Sequence, residues 1–298
     1  MSERINVNGA ITPPERASIS PLDRGFLYGD AVYETILARG GRPFRLREHL
    51  DRLRRSADRL AIPHRSAPVD VEREVLRTLE ASGIGPAAVR VVLSRGVGPL
   101  GYDPAPCGPP TVVVQVRELP PTPREWLREG IDVAVVSVER NPVGALDPAI
   151  KSCNLLNNLL AWMEARALGA CEPILLNRDG RVAEGASSNV FIAREGRLLT
   201  PSSEDGILRG ITRDIVLDLA RRDGLEAAEA GLLPDDLRRA DEAFITSTLK
   251  GILPVRRCDG WPVHHGRPGP LTLRLMERYE ALVQEETKAG SRPGSIRR

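Results

Sequence analysis

The sequence has little lysine, no paired cysteines, no surplus of one charge and no long apolar run, and each shortage removes a class of protein. Its four cysteines, Cys107, Cys153, Cys171 and Cys258, lie far apart with no Cys-x-x-Cys pair. That spacing suits neither a zinc site nor a disulfide framework, and points to free thiols in a reducing compartment. The 42 basic and 40 acidic residues leave a net charge of +2, which gives no electrostatic case for binding nucleic acid or an anionic membrane. The Arg54-Arg55, Arg221-Arg222 and Arg238-Arg239 pairs read as solvated helix faces. No stretch approaches a membrane span, and the first residues lack the apolar core of a signal peptide, so a soluble cytoplasmic protein is expected. His264-His265 are adjacent in a Gly/Pro-rich loop and His49 and His64 are isolated, so no metal site is expected.

Lysine is the most telling shortage. Only Lys151, Lys250 and Lys288 occur, and arginine fills every other basic position. A guanidinium stays protonated near neutrality, whereas a desolvated lysine amine can deprotonate and attack a carbonyl to form a Schiff base. Lys151, between a strand-like run and the apolar helical run that follows it, is therefore a candidate nucleophile. The alternative is a lysine on a solvated helix start.

At 298 residues, 41% hydrophobic and 28% charged, the chain can bury a real core in one large or two moderate domains. Residues 4–11 read as a strand with a possible Asn8-Gly9 turn, 19–28 as a loop, and 31–37 as a strand. Leu46, Leu50, Leu53, Ala57 and Leu60 make one apolar stripe on a helix over 47–62, and 69–82 is a second helix ended by Gly83. Strands follow at 89–94 and 111–116. Between them Gly96-Val-Gly-Pro-Leu-Gly101 matches G-x-G-x-x-G, but the proline-rich continuation cannot open the helix a dinucleotide site needs. Three prolines in residues 118–125 mark a linker. The expected organisation is a small domain over 1–117, a linker over 118–127, a large domain over 128–287 and a disordered tail over 288–298. The large domain carries strands at 131–138 and 243–246, hairpins around 177–180 and 195–196, and helices near 154–168, 211–223, 235–239 and 270–286. No repeat of fixed period is present.

Three segments could hold a partner for Lys151. Gly206 to Thr212 runs into a helix whose free N–H groups could seat a phosphate, or is an ordinary helix start capped by Thr212. Thr246-Ser247-Thr248 offers three hydroxyls at a strand end, which suit a phosphate or simply face water. Glu184, alone among small and apolar residues, could hold a protonated ring nitrogen, or be a strand-end glutamate in solvent.

In order along the chain stand Asp23-Arg-Gly-Phe-Leu-Tyr-Gly-Asp30, Val32-Tyr-Glu-Thr35, Glu48-His-Leu-Asp-Arg-Leu53, Ile150-Lys-Ser-Cys-Asn-Leu-Leu156, Glu184-Gly-Ala-Ser-Ser-Asn189, Gly210-Ile-Thr-Arg213 and Thr246-Ser-Thr248 with Pro254-Val255. With these blocks the chain resembles the class IV (fold type IV) pyridoxal 5'-phosphate (PLP) enzymes over roughly residues 5–285. They include branched-chain aminotransferases, D-amino-acid aminotransferases and aminodeoxychorismate lyases. The resemblance implies a two-domain α+β or α/β fold, with a small N-terminal α/β domain and a larger domain built on a mixed or barrel-like sheet. It implies that Lys151 forms the Schiff base and moves the proton between Cα and C4′. Glu184 would face the ring nitrogen, and Arg52, Ile211, Thr212 and Thr248 would hold the phosphate. Leu208 would pack on the ring, with Ser188 and Asn189 beside it and His49 supporting the phosphate side. It also implies a site closed between two domains and a homodimer, with amino acids and 2-oxo acids as partners. Tyr33 matches a substrate-side aromatic. Where D-amino-acid members carry an Arg-x-His carboxylate trap, this chain has Leu100-Gly101-Tyr102, so Lys250 or Arg95 could supply the missing cation; as the alternative, Lys250 is a surface lysine at a turn. The resulting expectation is a PLP-dependent transaminase acting on D-amino acids or branched-chain substrates, with a lyase eliminating pyruvate as the alternative.

Overall fold

The computed structural model describes residues 1–288, and the chain divides into two compact units. One comprises Met1–Pro120, Ile150–Asn154 and the chain end from Val283; the other comprises Pro121–Ala149 and Leu155–Leu282. The break after Pro120 falls inside the proline-rich stretch. The five residues around Lys151, however, belong to the N-terminal unit and not to the C-terminal domain where sequence order put them. Of the tail expected from 288 onward, only Lys288 lies within the described residues.

In the first unit, β1 (Arg4–Val7) and β2 (Ala10–Thr12) form a hairpin. Its turn residues Asn8 and Gly9 both have positive φ, 50° and 93°, as an Asn-Gly pair favours. The unit continues with α1 (Arg24–Tyr28), β3 (Ala31–Arg39), β4 (Arg42–Pro43), α2 (Leu46–Arg59), α3 (Val71–Ser82), β5 (Ala87–Ser94) and β6 (Thr111–Glu118). Among the described residues its strands form a six-stranded antiparallel sheet in the order β2-β1-β6-β5-β3-β4. Helix α2 packs on β3, and α3 on β6 and β1. The stripe Leu50, Leu53 and Ala57 on α2 buries with Val32, Ile36, Val89, Val91 and Leu93 of the sheet. Helix α1 lies where a loop was expected. Five residues are too few to show an apolar period, but the Asp23 carboxylate accepts from Gly25 N–H and Gly29 ends the helix at φ 65°. No helix follows Gly101 in the 96–101 loop, consistent with its rejection as a dinucleotide motif.

The placement of Lys151 has a backbone cause. Strand β4 covers only the far end of β3, at Ala38 and Arg39. The other end of that edge is open, and Ile150–Asn154 fills it. Tyr33 N–H donates to Lys151 O at 2.9 Å, Cys153 N–H donates to Ala31 O at 2.8 Å, and Val32 bridges Ser152. An exposed strand edge takes whatever segment can satisfy it.

The second unit holds α4 (Arg124–Glu129), β7 (Ile131–Val135), α5 (Val143–Leu146), α6 (Leu156–Ala167), β8 (Glu172–Leu176), β9 (Val182–Gly185), β10 (Asn189–Arg194), β11 (Arg197–Thr200), α7 (Ile211–Arg222), β12 (Glu226–Glu229), α8 (Pro234–Arg238), β13 (Glu242–Ser247), β14 (Gly251–Cys258), β15 (Trp261–Pro262) and most of α9 (Pro270–Thr287). Among the described residues the strands make a nine-stranded mixed sheet, β12-β11-β10-β13-β14-β7-β8-β9, with β15 on β14. It is parallel at β11–β12, β14–β7 and β7–β8, and it curls as the barrel-like expectation requires. Strand β14 sits inside this sheet yet escapes the pattern of alternation. Pro254 interrupts it, and Arg256 sits where the register shifts, paired with Asp132 on β7 at 2.8 Å.

Candidate active site

Register decides which side chains meet in the first unit. Strand side chains alternate, so Glu34 shares with Val32 and Ile36 the face covered by α2, while Tyr33 shares the other with Arg90, whose partner on β3 is Thr35. Helix α2 presents His49 and Arg52, three residues apart, towards Glu34. The Arg52 guanidinium donates to both carboxylate oxygens, Nε to Oε1 at 2.6 Å and Nη2 to Oε2 at 2.9 Å. His49 Nδ1 lies 2.7 Å from Oε2. All three are buried. Burial pushes the Glu34 carboxyl up, but the Arg52 charge and hydrogen bonds, with help from His49, outweigh it and hold the group at about 2. For His49, burial lowers the imidazole and Glu34 raises it; the Arg52 and Lys151 charges lower it further, and the net direction is down. Its Nε2 is buried without a hydrogen-bond partner.

On the opposite face, the Lys151 Nζ lies 4.5 Å from the centre of the Tyr33 ring and the Arg90 guanidinium 4.0 Å from it. An amine and a guanidinium thus share one aromatic ring, held there by cation–π attraction and the strand register. The Lys151 backbone is further fixed by its N–H donating to Ser56 Oγ on α2 at 3.1 Å. Burial raises the neighbouring Cys153 thiol, opposed by the charges of Arg90 and Lys151.

In the second unit, Glu184 is buried at the end of β9. Arg140 Nε and Nη2 both lie 2.9 Å from its Oε1. Leu208 N–H donates to Oε2 at 3.0 Å, and Asn189 Nδ2 lies 3.3 Å from the same oxygen. Asn189 also donates to Leu208 O at 2.9 Å and pairs with Thr246 across β10 and β13. Ser188 Oγ donates to the buried Glu172 at 2.8 Å. Helix α7 starts at Gly210 with no side-chain cap, which leaves the first N–H groups at Ile211 and Thr212 without the usual partner. A Cβ on Gly210 would lie 2.0 Å from Asn189 Oδ1, so only glycine lets the helix start approach this strand end. Thr246 Oγ1 is buried with no partner, and Thr248 is half-buried just beyond the end of β13.

Two residues expected at the site have other engagements. Arg95 grips Asp30 with Nε and Nη2 at 2.7 and 3.0 Å, and donates to Leu60 O and Ala61 O at 2.7 and 2.8 Å. It ties the end of α2 to the start of β3. Lys250 lies 5.8 Å from the Trp126 ring. Sequence reasoning passed over Glu34, Arg90 and Arg140. Glu34 and Arg90 carry a legible signal, each a lone charge inside an apolar run, 31–37 and 87–94; Arg140 sits in a turn-rich segment that shows none. Among the described residues no cluster of His, Cys, Asp and Glu is arranged to hold a metal ion, and no helix is long and apolar enough to cross a membrane.

Comparison with known proteins bears on this geometry. The family model for amino-transferase class IV matches residues 31–258. The chain belongs to the class IV aminotransferases. It is 42% identical over 279 residues to a Methanocaldococcus jannaschii protein named "Putative branched-chain-amino-acid aminotransferase", covering 94% of this chain and 96% of that one. It is 35% identical to the D-alanine aminotransferase of Listeria monocytogenes, over 96% of this chain and 97% of that one. The T.th. branched-chain amino acid aminotransferase, solved with pyridoxamine 5'-phosphate, superposes with a TM-score of 0.89 at 34% identity, covering 95% of this chain and 94% of that one. As a member of this family the protein is a PLP-dependent transaminase that moves an amino group between an amino acid and a 2-oxo acid; the lyase alternative is not favoured. The residues present fit the cofactor. The uncapped start of α7 and the orphaned Thr246 hydroxyl suit a phosphate, and the buried carboxyl group of Glu184 suits a ring nitrogen.

Proposed function

We propose that this transaminase acts on branched-chain amino acids and their 2-oxo acids, with Lys151 as the reacting amine and Arg90 as the group that binds the substrate carboxylate. The observation that carries this reading is the pair of cations on the Tyr33 ring. A planar guanidinium suits a carboxylate, and it stands beside the amine that must reach the adjacent Cα. Bound PLP supplies an electron sink for negative charge at that carbon. Lys151 Nζ takes the proton from the substrate Cα and returns it later in the cycle. Tyr33 covers one side of the amine and limits water. In the first unit, Arg52, oriented by Glu34 and His49, would serve phosphate; in the second, Ile211 and Thr212 N–H with Thr248 would do so. Glu184 would hold the ring nitrogen, with Leu208, Ser188 and Asn189 beside it. The loop residues Gly101 and Tyr102 turn their carbonyls to the Arg24 guanidinium, at 2.7 and 3.5 Å. With Leu100 before them they carry no Arg-x-His carboxylate trap, which weighs against a simple D-amino-acid assignment.

A homodimer in the cytoplasm completes the reading. Leu156, Leu159, Leu160 and Met163 form an exposed apolar face on α6, 49–72% accessible, and spaced at three and four residues they make one stripe suited to a second copy. The deciding experiment is a single-turnover comparison of L-leucine, D-alanine and D-glutamate, following loss of the cofactor's visible absorption. L-Leucine is expected to react fastest. A protein that converts D-alanine and ignores L-leucine is a D-amino-acid transaminase instead, and a Lys151→Ala protein with full turnover would overturn the mechanism.

A further inference from the structure

We infer that Arg140 is a positioning residue whose charge keeps a shared proton on the cofactor's ring nitrogen and off Glu184. The inference rests on the reading of Glu184 as the partner of that nitrogen. Arg140 is 8% exposed, and its side chain and backbone are fixed from several sides. Nε and Nη2 both contact Glu184 Oε1, Nη1 donates to Asn157 Oδ1 at 3.0 Å, and the backbone N–H donates to Leu176 O at 2.8 Å. Asn157 is held in turn, its Nδ2 donating to Glu139 O at 2.7 Å. The other carboxylate oxygen takes Leu208 N–H and Asn189 Nδ2.

Glu172 on the adjacent β8 is turned to its own donors, binding Ser187 N–H and Ser188 Oγ through Oε1. Arg140 is a charged side chain that the structure sets against Glu184.

The chemistry follows from where a proton sits in a buried N–H···O pair. Away from water, the arrangement with the proton on the carboxyl group carries no charges, so burial by itself favours it over an ion pair. A neutral ring withdraws electrons poorly, and the reaction needs the charged one. A guanidinium on Oε1, aided by Leu208 N–H on Oε2, stabilises the carboxylate form and lowers its affinity for the proton. The proton then stays on nitrogen. Arg140 touches neither substrate nor cofactor in this account; it acts through Glu184.

The test loads the holoenzyme with PLP labelled with nitrogen-15 in the ring and reads the ring nitrogen by NMR at neutral pH. Cofactor titration and circular dichroism confirm loading and fold. The wild type is expected to show a protonated nitrogen; Arg140→Gln and Arg140→Met, an unprotonated one; and Arg140→Lys, recovery of the wild-type state. In steady state Arg140→Gln should lose about tenfold or more in kcat with KM changed by roughly twofold at most, the pattern of an interaction that counts in the transition state. Glu184→Gln separates the two layers of the argument. If it neutralises the nitrogen while Arg140→Gln and Arg140→Met leave it protonated, the inference about Arg140 is wrong and the role of Glu184 stands. If neither change moves the proton, the reading of Glu184 is itself wrong. An unprotonated nitrogen in the wild type, or Arg140→Lys behaving like Arg140→Gln, also overturns the proposal.

Discussion

Glu34 shows how one buried residue can organise a functional surface. With no exposed area and an acidity of about 2, it stays charged at any ordinary pH, and it fixes both Arg52 and His49. Its folded value lies below the ordinary 4.5, so its contribution to stability is full above that value and is lost as pH falls from 4.5 towards 2. His49, lowered from 6.5, works in the same direction, because the unfolded chain takes up a proton there first. Thermal melts should therefore show stability falling below about pH 6.5 and steeply below about pH 4.5. A Glu34→Gln protein should lose most of the lower step, and a melt profile identical to the wild type would contradict this. At the same scale, Arg90→Met should raise KM for the amino acid by about tenfold or more, and Arg90→Lys should restore only part of it, because a point charge cannot match a planar fork. Steady-state kinetics on both variants checks it.

Among the elements, helix starts decide most. Helix α7 begins on a glycine pressed against Asn189, and its N–H groups have no side-chain cap. Gly210→Ala puts a methyl group into Asn189 Oδ1 and displaces the helix start. Apoprotein titrated with PLP should bind about tenfold more weakly or worse, roughly 1.4 kcal/mol, while Gly224→Ala at the far end of the helix should not affect the titration. Helix α9 is capped from a strand: Glu242 on β13 accepts Thr272 N–H and Oγ1 at 2.7 and 2.6 Å and Leu271 N–H at 3.0 Å. Glu242→Ala should cost about 1–3 kcal/mol of stability in denaturant titrations, with the buried donors left unmet.

For the molecule as a whole, the apolar stripe of α6 is the feature on which the proposed homodimer rests. A charged residue in its middle, Leu160→Glu, should drive the protein to monomers in light-scattering chromatography while circular dichroism stays unchanged. A wild type that is monomeric across the micromolar range would remove the homodimer from the proposal. Free thiols give a second reading of the intact fold. Cys258, buried and pushed up to about 12, should resist alkylation until the protein unfolds.

The sequence by itself determined the family and most elements, because those rest on local facts. The stripe of α2, the Asn-Gly hairpin and the glycine stops are set by period and by backbone freedom within a few residues. The scarcity of lysine marks Lys151 as a candidate nucleophile, with a lysine on a solvated helix start as the alternative. Only the tertiary structure decided which charges are spoken for. Arg95 looked as available as any arginine, yet its guanidinium is consumed by Asp30 and two carbonyls, while Arg90, on the same strand run, lies on the Tyr33 ring of the neighbouring β3. Strand β14 was hidden because its proline and arginines are accommodated by a bulge and an ion pair with Asp132, which no local pattern records. Lys151 itself belongs with the N-terminal sheet and not with the domain that sequence order suggested. The reason is the same in each case: hydrogen bonds and ion pairs between segments far apart in the chain depend on strand register and open edges, and those exist only once the chain is folded.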